Sequence, residues 1–188
     1  MERQDMAWLH MIYPEDILYG ANFMYQSDCI GKIISLGRPG AAAEIKGSME
    51  YSGLGGMVYF YDIGGEVLVV ASLYGLPYGE ECHQRVVLGM HIHEGESCTG
   101  NEKDPFADAG VHYDTAGCHH PYHKGDLPPV FVNHGTAWGA VVTDRFTLEE
   151  IKGKTVIIHQ MPDDFMTQPS GNSGAKIACG VITIKLSS

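Results

Sequence analysis

The 188-residue chain is poor in positive charge. Lysine and arginine number 12 against 23 aspartates and glutamates, a formal net charge of −11. Nucleic-acid binding needs basic patches against phosphate, so nucleic acid is excluded as a partner class, and an anionic membrane surface with it. A small anion would meet overall repulsion, so any attraction to one must be local. No run is long and apolar enough to span a bilayer. The opening residues, MERQDMAWLHMIYPEDILYG, are mixed in charge and hold no continuous apolar stretch of the kind a secretory leader carries. The expected location is therefore cytoplasmic. Helical periodicity is nearly absent: only residues 147–151, TLEEI, read as helix, for about one turn. There is no internal repeat and no low-complexity tract.

What remains reads as all-β. Short runs rich in valine, isoleucine and tyrosine are bounded by glycine, proline or asparagine. They predict strands at 43–51, 57–62, 67–73, 85–93, 136–143, 155–159 and 177–185, with 63–66 (IGGE) as a hairpin turn. Arg38-Pro39-Gly40 reads as a turn opening the domain proper. The expected organisation is an N-terminal extension, residues 1–38, and one domain, residues 39–188. Trp138 falls on a strand and is expected in the core or on a dimer surface.

Histidine is the abundant feature. Six of the ten lie between Gly89 and Asp126, and His159 closes a later strand-like run. His91 and His93 are two apart in a strand pattern, so both imidazoles point to one face. His112, His119, His120, His123 and Asp126 follow in glycine- and proline-rich sequence. Imidazole and carboxylate suit zinc, and imidazole also suits copper. Loops as long as 94–133 are usually functional or disordered, and coordination gives this one a reason to be ordered. His10, His83 and His134 fit no pattern and are expected to be surface or structural.

The cysteine count of five is odd, so at least one thiol is free or intermolecular. Cys29 and Cys82 read as small buried apolar residues. Cys118 sits within the histidine-rich loop, where a thiolate could serve as a rival zinc ligand.

The segments HIHEGESC, AGVHYD, HPYHKGDLPP, TVIIHQMPDD and GNSGAKIACGVI together resemble the copper/zinc superoxide dismutase family in its bacterial form, over about residues 41 to 184. The resemblance implies an eight-stranded Greek-key β-barrel or sandwich with long metal-binding and channel loops. It implies copper on His91, His93, His112 and His159, and zinc on His112, His120, His123 and Asp126, with His112 shared. His119 remains an alternative to His120. Asp163 would link ligand histidines of both metals, and Cys98 would pair with Cys179. Lys176 stands three residues before Cys179, where the family usually has arginine; it and His112 are the residues implied in catalysis. The implied reaction turns superoxide into oxygen and hydrogen peroxide. The alternative is a non-catalytic copper/zinc-binding module on the same fold. A second copy of the chain is the candidate protein partner.

Overall fold

The computed structural model describes residues 38–79, 81 and 86–184. The extension expected at 1–38 lies outside them but for Arg38. His10, Cys29, Cys82, His83 and the expected strand ends at 85 and 185 also fall outside.

Among the described residues nine strands run in chain order: β1 (Ala41–Gly47), β2 (Gly55–Asp62), β3 (Val67–Tyr74), β4 (Val87–Leu88), β5 (Met90–His93), β6 (Val130–Phe131), β7 (Ala137–Thr143), β8 (Thr155–His159) and β9 (Lys176–Ile184). One α-helix among the described residues, α1 (Leu148–Ile151), is held by a capping box between Thr147 and Glu150. No helix among the described residues is long and apolar enough to cross a membrane.

All strand pairs are antiparallel. Seven strands form one sheet in the order β5-β8-β9-β1-β2-β3-β7, and β4 pairs with β6. This second ladder ties the outer strands of the large sheet together. β4 runs into β5 across Gly89, and β6 reaches β7 through a tight turn closed by Asn133 and Thr136. The turn residues His134 and Gly135 both have positive φ, 48° and 76°, as a type I′ hairpin requires. His134 is thus a turn residue. With β4 and β5 taken as one bent strand, eight strands follow one another around a curled sheet, and the connections β3–β4 and β7–β8 cross it in Greek-key fashion.

Several expected boundaries differ, each for a local reason. β1 ends at Gly47 rather than 51 because the chain reverses there, with Gly47 N–H donating to the Leu54 carbonyl at 2.9 Å. The run expected as one strand at 85–93 is interrupted at Gly89. The Gly89 N–H turns to the Met161 carbonyl (2.8 Å) and its own carbonyl accepts from His159 N–H (2.9 Å), so the chain changes partner from β6 to β8. β6 lies inside the segment expected to be a long loop; two residues are too few to stand out as a strand. Trp138 is 73 % exposed and does not belong to the core.

Inside the barrel, Met90 and Ile92 of β5 face Ile158 and Val156 of β8 across paired positions and join the main core with Phe60, Val58 and Ile45. Side chains alternate along a strand. Burying Met90 and Ile92 inward therefore turns His91 and His93 outward, yet both are almost fully buried. The loops lie over them.

Candidate metal centre

Loop backbone is laced onto β5 much as a further strand would be. Tyr113 N–H donates to the Ile92 carbonyl and Ile92 N–H to the Gly125 carbonyl, each at 2.8 Å, while Gly125 N–H closes on the Tyr113 carbonyl at 2.8 Å. These bonds put His112 opposite His93 and Asp126 opposite His91. Gly125 is required for the approach: a Cβ there would lie 2.2 Å from the Ile92 oxygen. His159 arrives from the end of β8, and His120 and His123 from the loop. The result is two groups of four, His91/His93/His112/His159 and His112/His120/His123/Asp126. Within each group the potential ligand atoms all lie within 4.8 Å of one another.

Hydrogen bonding decides which atom each ring offers. His93 Nδ1 contacts the Gly110 carbonyl at 3.0 Å and His159 Nδ1 the Gly174 carbonyl at 3.2 Å. A carbonyl only accepts, so both Nδ1 atoms carry the proton and both Nε2 atoms present lone pairs. Asp163 contacts His91 Nε2 through one oxygen (2.8 Å) and His120 Nε2 through the other (2.9 Å). That leaves His91 Nδ1 and His120 Nδ1 as lone pairs. Both are buried with no hydrogen-bond partner, and so is His112 Nε2. His120 Nδ1 is 3.2 Å from Asp126 Oδ2, but out of line for a hydrogen bond. His112 Nδ1 and His123 Nδ1 contact the same carboxylate at 2.7 and 3.1 Å. Buried polar atoms are rarely left unpaired. Several imidazole lone pairs orphaned in one place, beside a carboxylate, form a donor set that a cation satisfies. It suits copper or zinc rather than calcium or magnesium.

Burial favours the unprotonated form of His91, His93 and His159. Burial lowers His91 to about 4 and His159 to about 3, and holds His93 well below the ordinary imidazole range. Burial pushes Asp163 up, but hydrogen bonds from His91, the Phe165 amide and His120 outweigh it and bring it down to about 2. Asp126 is likewise lowered against its burial, by the hydrogen bond from His112 and the charges of its three histidine neighbours.

Two supporting residues were given no role from the sequence, although Gly171 opens the segment GNSGAKIACGVI. Gln168 Oε1 accepts the His120 N–H (3.0 Å) and its Nε2 donates to the His120 carbonyl (2.7 Å), so one side-chain amide clamps the backbone of this histidine. At Gly171 (φ 66°) a Cβ would sit 1.9 Å from Asp163 Oδ1 and 2.7 Å from His120 Nε2, so only glycine leaves room for their contact.

His119 is exposed and belongs to neither group. Cys118, the free cysteine among the described residues, is also exposed and outside both. Its main-chain N–H is bound by Asp114 Oδ2 at 2.8 Å. Cys98 and Cys179 are joined by a disulfide, with Cα atoms 5.6 Å apart, that fastens the loop after β5 to β9. A cleft of about 440 Å³ opens onto His93, His112 and His123, with Lys176 and Cys118 on its walls. Lys176 is not a free cation there: its Nζ donates to Asp104 Oδ2 at 2.6 Å and to the Phe106 carbonyl at 3.2 Å.

Residues 54–182 match the family model described as copper/zinc superoxide dismutase (SODC). Among curated proteins, the chain is 41 % identical over 108 residues to a Cu-Zn superoxide dismutase of Photobacterium leiognathi, covering 50 % of this chain and 62 % of that protein. It is 37 % identical over 135 residues to one from Pasteurella multocida (strain Pm70), covering 63 % and 73 % respectively. With one from Actinobacillus pleuropneumoniae it shares 36 % over 135 residues, covering 63 % and 71 %. The matched segment thus spans a little under two thirds of the first relative's length. The family match takes in more than half of the chain, and this protein belongs to the copper/zinc superoxide dismutase family.

Proposed function

We propose that the protein is a copper/zinc superoxide dismutase, converting two superoxide ions and two protons to oxygen and hydrogen peroxide. The observation that carries this reading is the pair of four-residue groups sharing His112. His91 Nδ1, His93 Nε2, His159 Nε2 and His112 Nε2 would hold copper, and Nδ1 of His112, His120 and His123 with Asp126 would hold zinc. Burial of His120 beside Asp163 favours it over the exposed His119. Copper, when bound, supplies one-electron exchange with superoxide, while zinc supplies a fixed charge without redox chemistry.

The chain's own residues do the rest. The Gly110 and Gly174 carbonyls fix the tautomers of His93 and His159. Asp163 fixes His91 and His120 together, as ligand partners of this kind do. His112 Nε2 is the atom on which a proton is held between the two half-reactions. Burial keeps His91, His93 and His159 neutral, so they do not compete for it. Lys176, on the wall of the cleft, contributes the local positive potential a small anion needs.

The disulfide favours an oxidising compartment over the cytosol expected from the N-terminal sequence. Exposed Phe131 and Trp138 support a homodimer contact. Metal analysis and superoxide decay on protein loaded with both ions test the function. Copper-loaded protein without turnover would replace this reading with the metal-binding module.

A further inference from the structure

We propose that Asp104 is a modulating residue: its ion pair with Lys176 partly neutralises the cation of the cleft and so limits the rate at which a small anion enters. This rests on the dismutase reading above for its substrate.

The geometry is specific. Lys176 opens β9 and lines the cleft with His93 and His112. Two of the three donors of an ammonium are engaged, by Asp104 Oδ2 and the Phe106 carbonyl. The other charged side chains on the cleft wall are Glu94 and Asp114, both acidic. In a chain of net charge −11, the field an approaching anion meets depends heavily on this one ammonium. A carboxylate at 2.6 Å makes the pair a dipole, whose attraction fades with distance much faster than that of a free charge.

The segment bearing Asp104 does not need the ion pair to stay in place. The Cys98–Cys179 disulfide anchors it. The Asp108 N–H donates to the Thr99 carbonyl at 2.9 Å, and the Lys103 N–H to Asn101 Oδ1 at 2.9 Å. Phe106 and Ala109 are buried beneath it against Ile157 and Cys179. The second Asp104 oxygen, Oδ1, accepts the Phe106 N–H at 3.0 Å. Asp104→Asn keeps an oxygen for that bond and sets an amide nitrogen in place of Oδ2, so it removes the charge and the acceptor that hold Lys176 while leaving the loop's own bond in place.

The test uses the full chain loaded with copper and zinc. At low salt, Asp104→Asn should raise the superoxide rate about threefold to tenfold and steepen its fall with salt. Asp62→Asn, which makes the same charge change at the β2–β3 turn, should do neither. In a Lys176→Gln background the gain from Asp104→Asn should vanish. An independent readout uses zinc-loaded, copper-free protein titrated with inorganic phosphate and followed through the amide resonances of the cleft. Asp104→Asn should tighten phosphate there about threefold to tenfold, and not in the Lys176→Gln background. Unchanged phosphate affinity and salt slope overturn the proposal, as does a gain that survives without Lys176. If the loaded wild type shows no turnover, the dismutase reading fails, and the phosphate titration still decides the role of Asp104.

Discussion

The Nε2 atoms of His93 and His159 face each other at 3.3 Å, with each ring's Nδ1 committed to a backbone carbonyl. Neither Nε2 has a proton to give, so two lone pairs meet in a buried site. Protonating one ring would relieve the contact, but burial works against it in both. A cation between them relieves it without that cost. The same relationship recurs across the site, where each supporting contact takes the proton of one ring nitrogen and leaves the other bare.

A pH dependence of the metal-free protein follows. His91 titrates in the fold at about 4 and His159 at about 3, against 6.5 for a free imidazole. The folded values are lowered, so below 6.5 the unfolded chain binds protons the fold refuses. Stability is complete above about pH 6.5 and declines from there toward pH 4, by about 3 kcal/mol for His91 alone. Asp163 acts in a lower window, where its contribution is lost as pH falls from about 4 to about 2. Melting of the metal-free protein should therefore drop by several degrees between pH 7 and pH 5, and the zinc- and copper-loaded form should drop at least as steeply, because its ligand rings are unprotonated in the fold and take up protons only on unfolding. A flat melting temperature across that range in the metal-free protein would remove this account.

Asp163 couples the two groups, so its replacement should injure both. An asparagine has one oxygen where Asp163 uses two, and its amide N–H would confront an imidazole N–H. We expect Asp163→Asn to weaken both ions by about 10- to 100-fold, whereas His91→Ala should lose copper and keep zinc. Chelator competition for each metal separates the cases. Selective loss of one metal in Asp163→Asn would show that the carboxylate serves only one group.

Much of this was legible from residues 89–126 and 155–163. The two-residue spacing of His91 and His93 predicts one face because strand geometry is fixed by the backbone alone, and the sheet bears it out. The family resemblance likewise led to the Cys98–Cys179 bridge now seen. Other features depend on where distant segments land. Gln168 is an ordinary polar residue until the loop after β8 folds against His120. β6 takes its meaning from a partner some forty residues earlier in the chain. Nor does a lysine before a cysteine indicate that Asp104, 72 residues away, will pair with it.

Gln168 supplies the next test. Its amide matches both the N–H and the carbonyl of His120, fixing the backbone from which Nδ1 is aimed. Gln168→Glu keeps the acceptor but sets a carboxylate oxygen against the carbonyl, and Gln168→Ala loses both bonds. Both variants should release zinc to a chromophoric chelator about tenfold faster, a loss of the size seen when metal-ligand partners are removed, with copper content held. Release at the wild-type rate would reduce Gln168 to a loop residue without influence on the ligand.

The charge at position 176 is the most exposed part of the functional reading. Lys176 is ion-paired, so what it offers an anion is the remainder of a charge, screened over about 8 Å at physiological salt. Lys176→Glu would place two carboxylates together, with Asp104 no longer compensated, and make the cleft wall acidic throughout. Its superoxide rate at low salt should fall by about tenfold or more and should then rise with salt, as screening hides a repulsive field. Lys176→Arg has the opposite logic. A guanidinium carries five donors against the ammonium's three. It can satisfy Asp104 and the Phe106 carbonyl and still turn an N–H edge to the cleft, so its rate should equal or exceed that of wild type. Stopped-flow decay of superoxide, normalised to copper content across a salt series, distinguishes the three proteins. Coincident curves would mean that the charge at position 176 is not felt on the anion's path and that the cleft draws its substrate by diffusion alone.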